Sequence, residues 1–195
     1  MAIEKVKEYF RQYGMEMGEM TFRKATGEDI TAISNIYAAT HKAEECGKLT
    51  IGWMRDVYPT TKTAEEALQR GDLFVGTDDD SIFGTAIINQ QQVAEYENGR
   101  WEYAAGEREI MVLHTLVIDP ELTGRGYGKS FVEFYEAYAL SRGCRYLRMD
   151  TQVINKNARA MYKKLGYKEA DIVSCEAFNG IKEIQLVLLE KKLPV

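Results

Sequence analysis

One segment, residues 109–143, constrains this chain more than any other. EIMVLHTLVIDP (109–120) is a run of β-branched and apolar residues halted by Pro120, which has no N–H to give a strand ladder. Three alternate glycines follow, at Gly124, Gly126 and Gly128. KSFVEFYEAYALSRG then reads as a helix that stops at Gly143. A strand, a glycine turn and a helix in that order set a row of backbone N–H groups at a helix N-terminus. The partial positive charge there favours a phosphate, and glycines let a phosphate approach the backbone.

Around this segment the pattern describes one α/β domain. Ile3, Val6, Phe10 and Tyr13 recur at helical spacing, so 1–18 reads as an extra N-terminal helix appended to a domain over 19–195. MTFRKAT (20–26) is strand-like, and Thr26-Gly-Glu-Asp29 opens a helix with Ile30, Ile33, Ile36 and Tyr37 on its apolar face. Thr63-Ala-Glu-Glu66 reads as a capping box for a short helix stopped by Gly71. LFVGT and SIFGTAIINQ form a hairpin around DDDS, and 91–108 reads as a helix or loop. CRYLRMD (144–150) is a strand, 155–165 a helix stopped by Gly166, and the last two strands meet at Asn179-Gly180, a strong hairpin signal. The expected fold is α/β (α+β), a mixed, mostly antiparallel twisted sheet of six to seven strands flanked by about four helices.

Composition narrows the function classes. The net charge is −5 without a clustered basic face, which argues against a nucleic-acid partner. No apolar run approaches the roughly 20 residues of a membrane helix, and the charged N-terminus has no secretory core. Three scattered cysteines and two histidines suit a reducing, cytoplasmic setting and leave little material for a metal site. As for the glycine turn, a P-loop needs a glycine at 123, where the chain has Thr, although Gly128-Lys129-Ser130 matches its end. The dinucleotide spacing G-x-G-x-x-G is also broken, and glycines that merely make a tight turn would not explain three alternate ones opening a helix.

Residues 112–167 resemble the GNAT superfamily of N-acetyltransferases, whose turn is [QR]-x-x-G-x-[GA]. Here it reads Thr123-Gly124-Arg125-Gly126-Tyr127-Gly128, departing from the pattern at Thr123. NKNARAMYKKLGY (155–167) is similar to the family's second block. The resemblance implies acetyl-CoA as co-substrate, with its pyrophosphate held by the backbone from Arg125 to Lys129. It implies that N–H groups near Leu116, Val117 and Ile118 bond the pantetheine amide and acetyl carbonyl, at a strand end splayed from its parallel neighbour. Asn155 would bond the pantetheine arm, and Tyr162 would act as general acid toward the sulfur. LHTLVIDPELTGRG is similar to the arylalkylamine branch, where a His in the place of His114 helps remove the amine proton.

The expected activity is therefore acetyl transfer to a primary amine of a small molecule or peptide by direct attack in a ternary complex. The base is His114 or water, with Glu109 and Glu107 as weaker choices. His41, Trp53, Tyr58, Tyr96, Trp101 and Tyr103 are candidates to line the acceptor site, and Glu95, Glu97, Glu102 and Glu107 nearby in sequence are suited to attract a cationic amine. A non-catalytic acyl-CoA-binding protein and a P-loop-like phosphotransferase are the alternatives, and a homodimer is open.

Overall fold

The computed structural model describes residues 20–194, so the expected helix over 1–18 lies outside the described residues. The elements are β1 (Thr21–Lys24), α1 (Ile30–Glu45), α2 (Thr61–Arg70), β2 (Leu73–Asp78), β3 (Ser81–Asn89), β4 (Ile110–Ile118), α3 (Tyr127–Ser141), β5 (Tyr146–Gln152), α4 (Lys156–Lys164), β6 (Lys168–Phe178) and β7 (Ile181–Lys192). The seven strands form one sheet in the order β1-β2-β3-β4-β5-β7-β6. Among the described residues only β4 and β5 pair in parallel. This is the mixed, mostly antiparallel sheet with four helices that the sequence pattern implies.

Local chemistry sets the boundaries. Asp29 Oδ2 accepts the Thr26 backbone N–H at 2.7 Å and starts the turn leading into α1. The cap of α2 lies three residues earlier than the Thr63-to-Glu66 reading. Thr60 Oγ1 accepts the Thr63 N–H at 3.4 Å, and Thr63 Oγ1 accepts the Thr60 N–H at 3.1 Å. Two threonines thus satisfy each other's donors, and Thr63 stands at the third position of the helix. Gly71 closes α2 at φ +74°. Asp79 and Asp80 both take left-handed backbone between β2 and β3, the geometry that a two-residue hairpin demands.

Side-chain alternation divides the core between the two faces. Phe74, Met111, Leu113, Leu147 and Met149 pack with Phe131, Phe134 and Tyr135 of α3. Leu73, Val75 and Ile87 pack with Ile33, Ile36 and Tyr37 of α1 and with Ala64 and Ala67 of α2. Ile110, Val112, Leu186 and Leu188 bury Tyr96 from the 90–108 segment. That segment is a strap with a short 3₁₀ turn at Ala94–Asn98. Arg148 clips it to the sheet by donating to Gln92 Oε1 at 2.5 Å and lying 4.0 Å from the centre of the Trp101 ring. Glu190 accepts the Glu102 N–H at 2.7 Å.

Phe131, fully buried, meets Phe22 edge-on at 5.2 Å between ring centres. Phe131→Ala is expected to cost about 3–5 kcal/mol in denaturant unfolding. A loss below about 1 kcal/mol would show that α3 is not locked to the sheet through this ring.

Candidate active site

The site begins where β4 leaves β5. Their parallel pairing runs from Ile110↔Tyr146 to Leu113↔Met149 and ends there. On the other edge, the β3 register jumps between Ile87↔His114 and Thr85↔Val117. Thr115 sits at this bulge with φ +50°, a left-handed conformation that a β-branched residue rarely adopts. The extra residue changes parity: Met111 and Leu113 face the α3 core before it, Leu116 and Ile118 after it. The Tyr58 hydroxyl bonds Thr115 Oγ1 and ties the bulge to the loop after α1. Asp119 N–H donates to Phe83 O at 2.8 Å, and Val117 pairs with Thr85. By alternation the N–H groups of Leu116 and Ile118 point to the opposite edge, where no strand follows.

The glycine turn lies directly beyond. Gly124 and Gly126 adopt φ +82° and +87°, and a Cβ at either would meet nothing within 4 Å. Their requirement is therefore backbone conformation together with clear space above the turn. At Gly128 the reason is packing, because a Cβ there would stand 3.1 Å from Met161 Sδ of α4. The first helical bond of α3 runs from Ser130 N–H to Gly126 O at 3.0 Å, leaving the N–H groups of Tyr127, Gly128 and Lys129 without helical acceptors. Tyr127 itself is buried, stacked on Phe83 at 4.2 Å, and donates to Asp78 at 2.5 Å.

Two side chains of the turn are already engaged. Thr123 Oγ1 donates to Pro120 O at 3.0 Å, so its hydroxyl proton closes the turn and is not offered to a phosphate. Lys129 Nζ lies 3.3 Å from Glu133 along the surface of α3, which takes it away from the role a P-loop lysine would need. What the turn offers an anion is backbone N–H groups and the exposed Arg125.

A cleft of about 330 Å³ opens on one side of the bulge, and a cavity of about 80 Å³ lies on the other. They share Ile51, Trp53, Leu113, Thr115, Asp150 and Thr151. The small cavity adds Leu116, Asn155, Ala158 and Tyr162. Asn155 caps α4, with Oδ1 accepting the Ala158 N–H at 3.2 Å and Nδ2 donating to Thr151 Oγ1 at 3.1 Å. Tyr162 is buried two turns on, and burial, helped by the negative charge of Asp150, raises its phenol well above the ordinary value. It therefore keeps its proton at neutral pH.

His114 lines the larger cleft. Its Nε2 lies 3.1 Å from Gln91 O and 3.2 Å from Asn89 Oδ1. A carbonyl only accepts, so Nε2 carries the proton and Nδ1 the lone pair. Burial pulls this imidazole down to about 4 despite the hydrogen bond to Gln91. A base titrating there holds an amine's proton poorly, which argues against His114 as the proton acceptor expected from its place on the strand. Glu109 and Glu107 do not reach the cleft. Both are exposed, and Glu109 accepts the Gly106 N–H at 3.1 Å.

Of the proposed acceptor-lining aromatics, Trp53 and Tyr58 do line the cleft. Tyr96 is buried beside it, donating to Asp150 Oδ2 at 2.9 Å. His41 is buried away from it with Nε2 2.9 Å from Pro59 O. Trp101 donates to Tyr96 O at 2.9 Å, and Tyr103 and Glu102 stand on the outer surface near Lys168. Asp150, which lines both cavities, was not singled out from sequence. The signal was there: an acidic residue at the end of the CRYLRMD stretch, twelve positions before Tyr162. Among the described residues no group of three His, Cys, Asp or Glu converges as metal ligands, and no helix is long and apolar enough to cross a membrane.

Residues 32–167, which include the bulge, the glycine turn and α4, match the family model described as the acetyltransferase (GNAT) family. The chain belongs to the GNAT family. Its curated relatives include the streptothricin acetyltransferase of Escherichia coli, 35% identical over 92 residues, or 47% of this chain and 49% of that protein. Matches to the first curated relatives span only 32% to 49% of those proteins' length. Among solved GNAT structures, an acetyltransferase from Streptococcus agalactiae has a TM-score of 0.72 at 21% identity, covering 90% of this chain and 96% of its own. YncA of Salmonella typhimurium, solved with its cofactor acetyl-CoA, has a TM-score of 0.62 at 18% identity, covering 91% and 95%. These structural likenesses establish the GNAT fold.

Because Gly126 faces open space, Gly126→Val is expected to lower acetyl-CoA affinity at least about tenfold in calorimetry while the melting temperature moves only a few degrees. Undiminished affinity would show that the turn does not seat the coenzyme.

Proposed function

We propose that this protein transfers an acetyl group from acetyl-CoA to a primary amine by direct attack within a ternary complex. The observation that carries this reading is the opening between β4 and β5, with unpaired strand N–H groups on one side and a buried, protonated tyrosine on the other. The N–H groups from Arg125 to Lys129, with Gly124 and Gly126 clear of side chains, fit the coenzyme's pyrophosphate. Those of Leu116 and Ile118, at the strand edge beside Val117, fit the pantetheine amide and the acetyl carbonyl. As negative charge grows on that carbonyl oxygen, fixed N–H donors stabilise it without having to reorganise. Asn155, held by its cap, presents its remaining Nδ2 proton to the pantetheine arm. Thr123 contributes its place in the turn, since its hydroxyl is already bonded.

Attack by the amine nitrogen forms the C–N bond and breaks the C–S bond. Tyr162 then gives its phenolic proton to the departing sulfur, a transfer that its raised phenol pKa suits because the group is fully protonated beforehand. His114, neutral, offers Nδ1 as a hydrogen-bond acceptor at the wall of the acceptor cleft.

The acceptor is a small amine. The cleft of about 330 Å³ has the capacity of a small-molecule site. The β6–β7 hairpin, whose Phe178 and Asn179 line the cleft, packs against the 51–58 loop, since a Cβ on Gly180 would stand only 2.9 Å from Val57 Cγ1. Relatives named for streptothricin and for the ε-nitrogen of thialysine support a small-molecule acceptor. The domain is taken as one unit over 19–195.

Tyr162→Phe is expected to lower kcat by about a hundredfold while changing the KM for acetyl-CoA no more than about threefold. The check is a thiol-release assay from acetyl-CoA. An unchanged kcat across the pH range would remove the general-acid role.

A further inference from the structure

We propose that Asp150 is the carboxylate that receives the acceptor's ammonium group and takes its first proton. This rests on the acetyl-transfer reading above and names the substrate class as a primary ammonium ion.

The geometry singles out this side chain. Asp150 lies in the last half of β5, one residue past the point where β4 leaves it, and lines both the acceptor cleft and the small cavity that holds Tyr162 and Asn155. It is thus the charged group common to the place where an amine would enter and the place where a thioester would sit. Its single hydrogen bond among the described residues comes from Tyr96, to Oδ2. No cationic side chain among the described residues pairs with it: the nearest cation on its own strand, Arg148, is spent on Gln92 and Trp101. No hydrogen bond among the described residues engages Oδ1, and the residue lines the cleft. A half-buried carboxylate without a counter-ion is costly unless something supplies both charge and donors. An ammonium supplies one positive charge and three N–H donors.

The surroundings fit a proton acceptor as well. Tyr96 and Glu95 face Asp150 from the strap, Tyr58 from the 51–58 loop, Tyr162 from α4 and Cys175 from β6, while His114 shares the cleft from β4. Glu66 and Arg70 line the same cleft from α2, and Arg70 is paired with Asp72 at 2.9 Å rather than with Asp150. Burial raises the carboxyl to about 6, with Tyr96 pulling it down and Glu95 pushing it up. The proton balance then closes. The ammonium loses one proton to Asp150 and attacks as the free amine. The second proton leaving nitrogen replaces the one Tyr162 gave to sulfur. The products are the amide and the thiol, and Asp150 releases its proton to solvent.

Sign follows from the raised value. The carboxylate form exists above about pH 6, so kcat/KM for the amine is expected to fall as pH drops through about 6. A limb set by His114 would lie near 4 instead.

The experiment measures kcat/KM across pH 4.5–9 for the fastest acceptor among ethanolamine, putrescine and lysine, by thiol release from acetyl-CoA. Acetyl-CoA affinity is followed separately by calorimetry. Asp150→Asn should lower kcat/KM at least about a hundredfold and remove the limb near pH 6, with acetyl-CoA affinity within about threefold of wild type. Tyr96→Phe removes a donor to the carboxylate and should move the limb to higher pH in a protein that retains Asp150. His114→Gln should leave the limb where it is. Near-normal turnover with an unmoved limb in Asp150→Asn, or loss of the limb in His114→Gln, would overturn the proposal. So would wild-type protein that binds acetyl-CoA but releases thiol with none of the three amines. Wild-type protein that bound no acetyl-CoA would instead overturn the coenzyme reading, and this proposal with it.

Discussion

The parting of β4 from β5 is the constraint on which the rest of the site depends. One inserted residue at the Thr115 bulge breaks the β3 register, reverses which side chains face the α3 core and directs β4 away from its parallel neighbour. Left-handed backbone at a threonine is costly by about 1–3 kcal/mol, and it persists because neighbouring contacts hold it. Tyr58 bonds its hydroxyl from one side, and the Val117–Thr85 and Ile118–Gly84 pairs re-form the ladder beyond it. The result is an edge of unsatisfied N–H groups inside a protein, something a sheet otherwise avoids. The glycine turn follows this edge within a few residues, and under the proposed function one coenzyme takes both the strand donors and the helix-end donors.

Around that opening the packing sets apart three titratable groups. Burial moves His114 down, Asp150 up and Tyr162 up. Near neutral pH this gives a neutral imidazole, a carboxylate close to its titration point and a protonated phenol. Pushing such groups apart by environment is how one site holds a proton donor and a proton acceptor together. The strap over 90–108 has a part in this. It brings Tyr96 to Asp150 and Gln91 O to His114, and Arg148 and Glu190 secure it to the sheet.

Much of the fold was legible because its signals are local. Alternation in EIMVLHTLVIDP, the glycines at 124, 126 and 128, and Asn179-Gly180 each specify structure within a few residues. The start of α2 was misplaced because Thr60 and Thr63 form a reciprocal cap as good as the acidic one expected at Glu66. Tyr162 and Asn155 were named through the family resemblance of 155–167, and both line one cavity. His114 lines the cleft, but burial in the folded chain is what lowers its pKa, and its hydrogen-bond partners Gln91 and Asn89 lie 23 and 25 residues away in sequence. Asp150 was missed because its significance is long-range. Only the fold sets its carboxyl between two cavities and under Tyr96, 54 residues upstream. Trp101 and Tyr103 misled in the opposite way, since their aromatic character serves to anchor the strap and not to line the cleft.

The central claim is that the coenzyme lies along the track from the opened strand edge to the glycine turn. Amide hydrogen exchange with and without acetyl-CoA tests it directly. Slower exchange confined to Leu116–Ile118 and Arg125–Lys129, with the distant β1–β2 edge unchanged, is the predicted result. Saturating acetyl-CoA that left both segments exchanging as before, or that protected a different part of the sheet, would contradict the account.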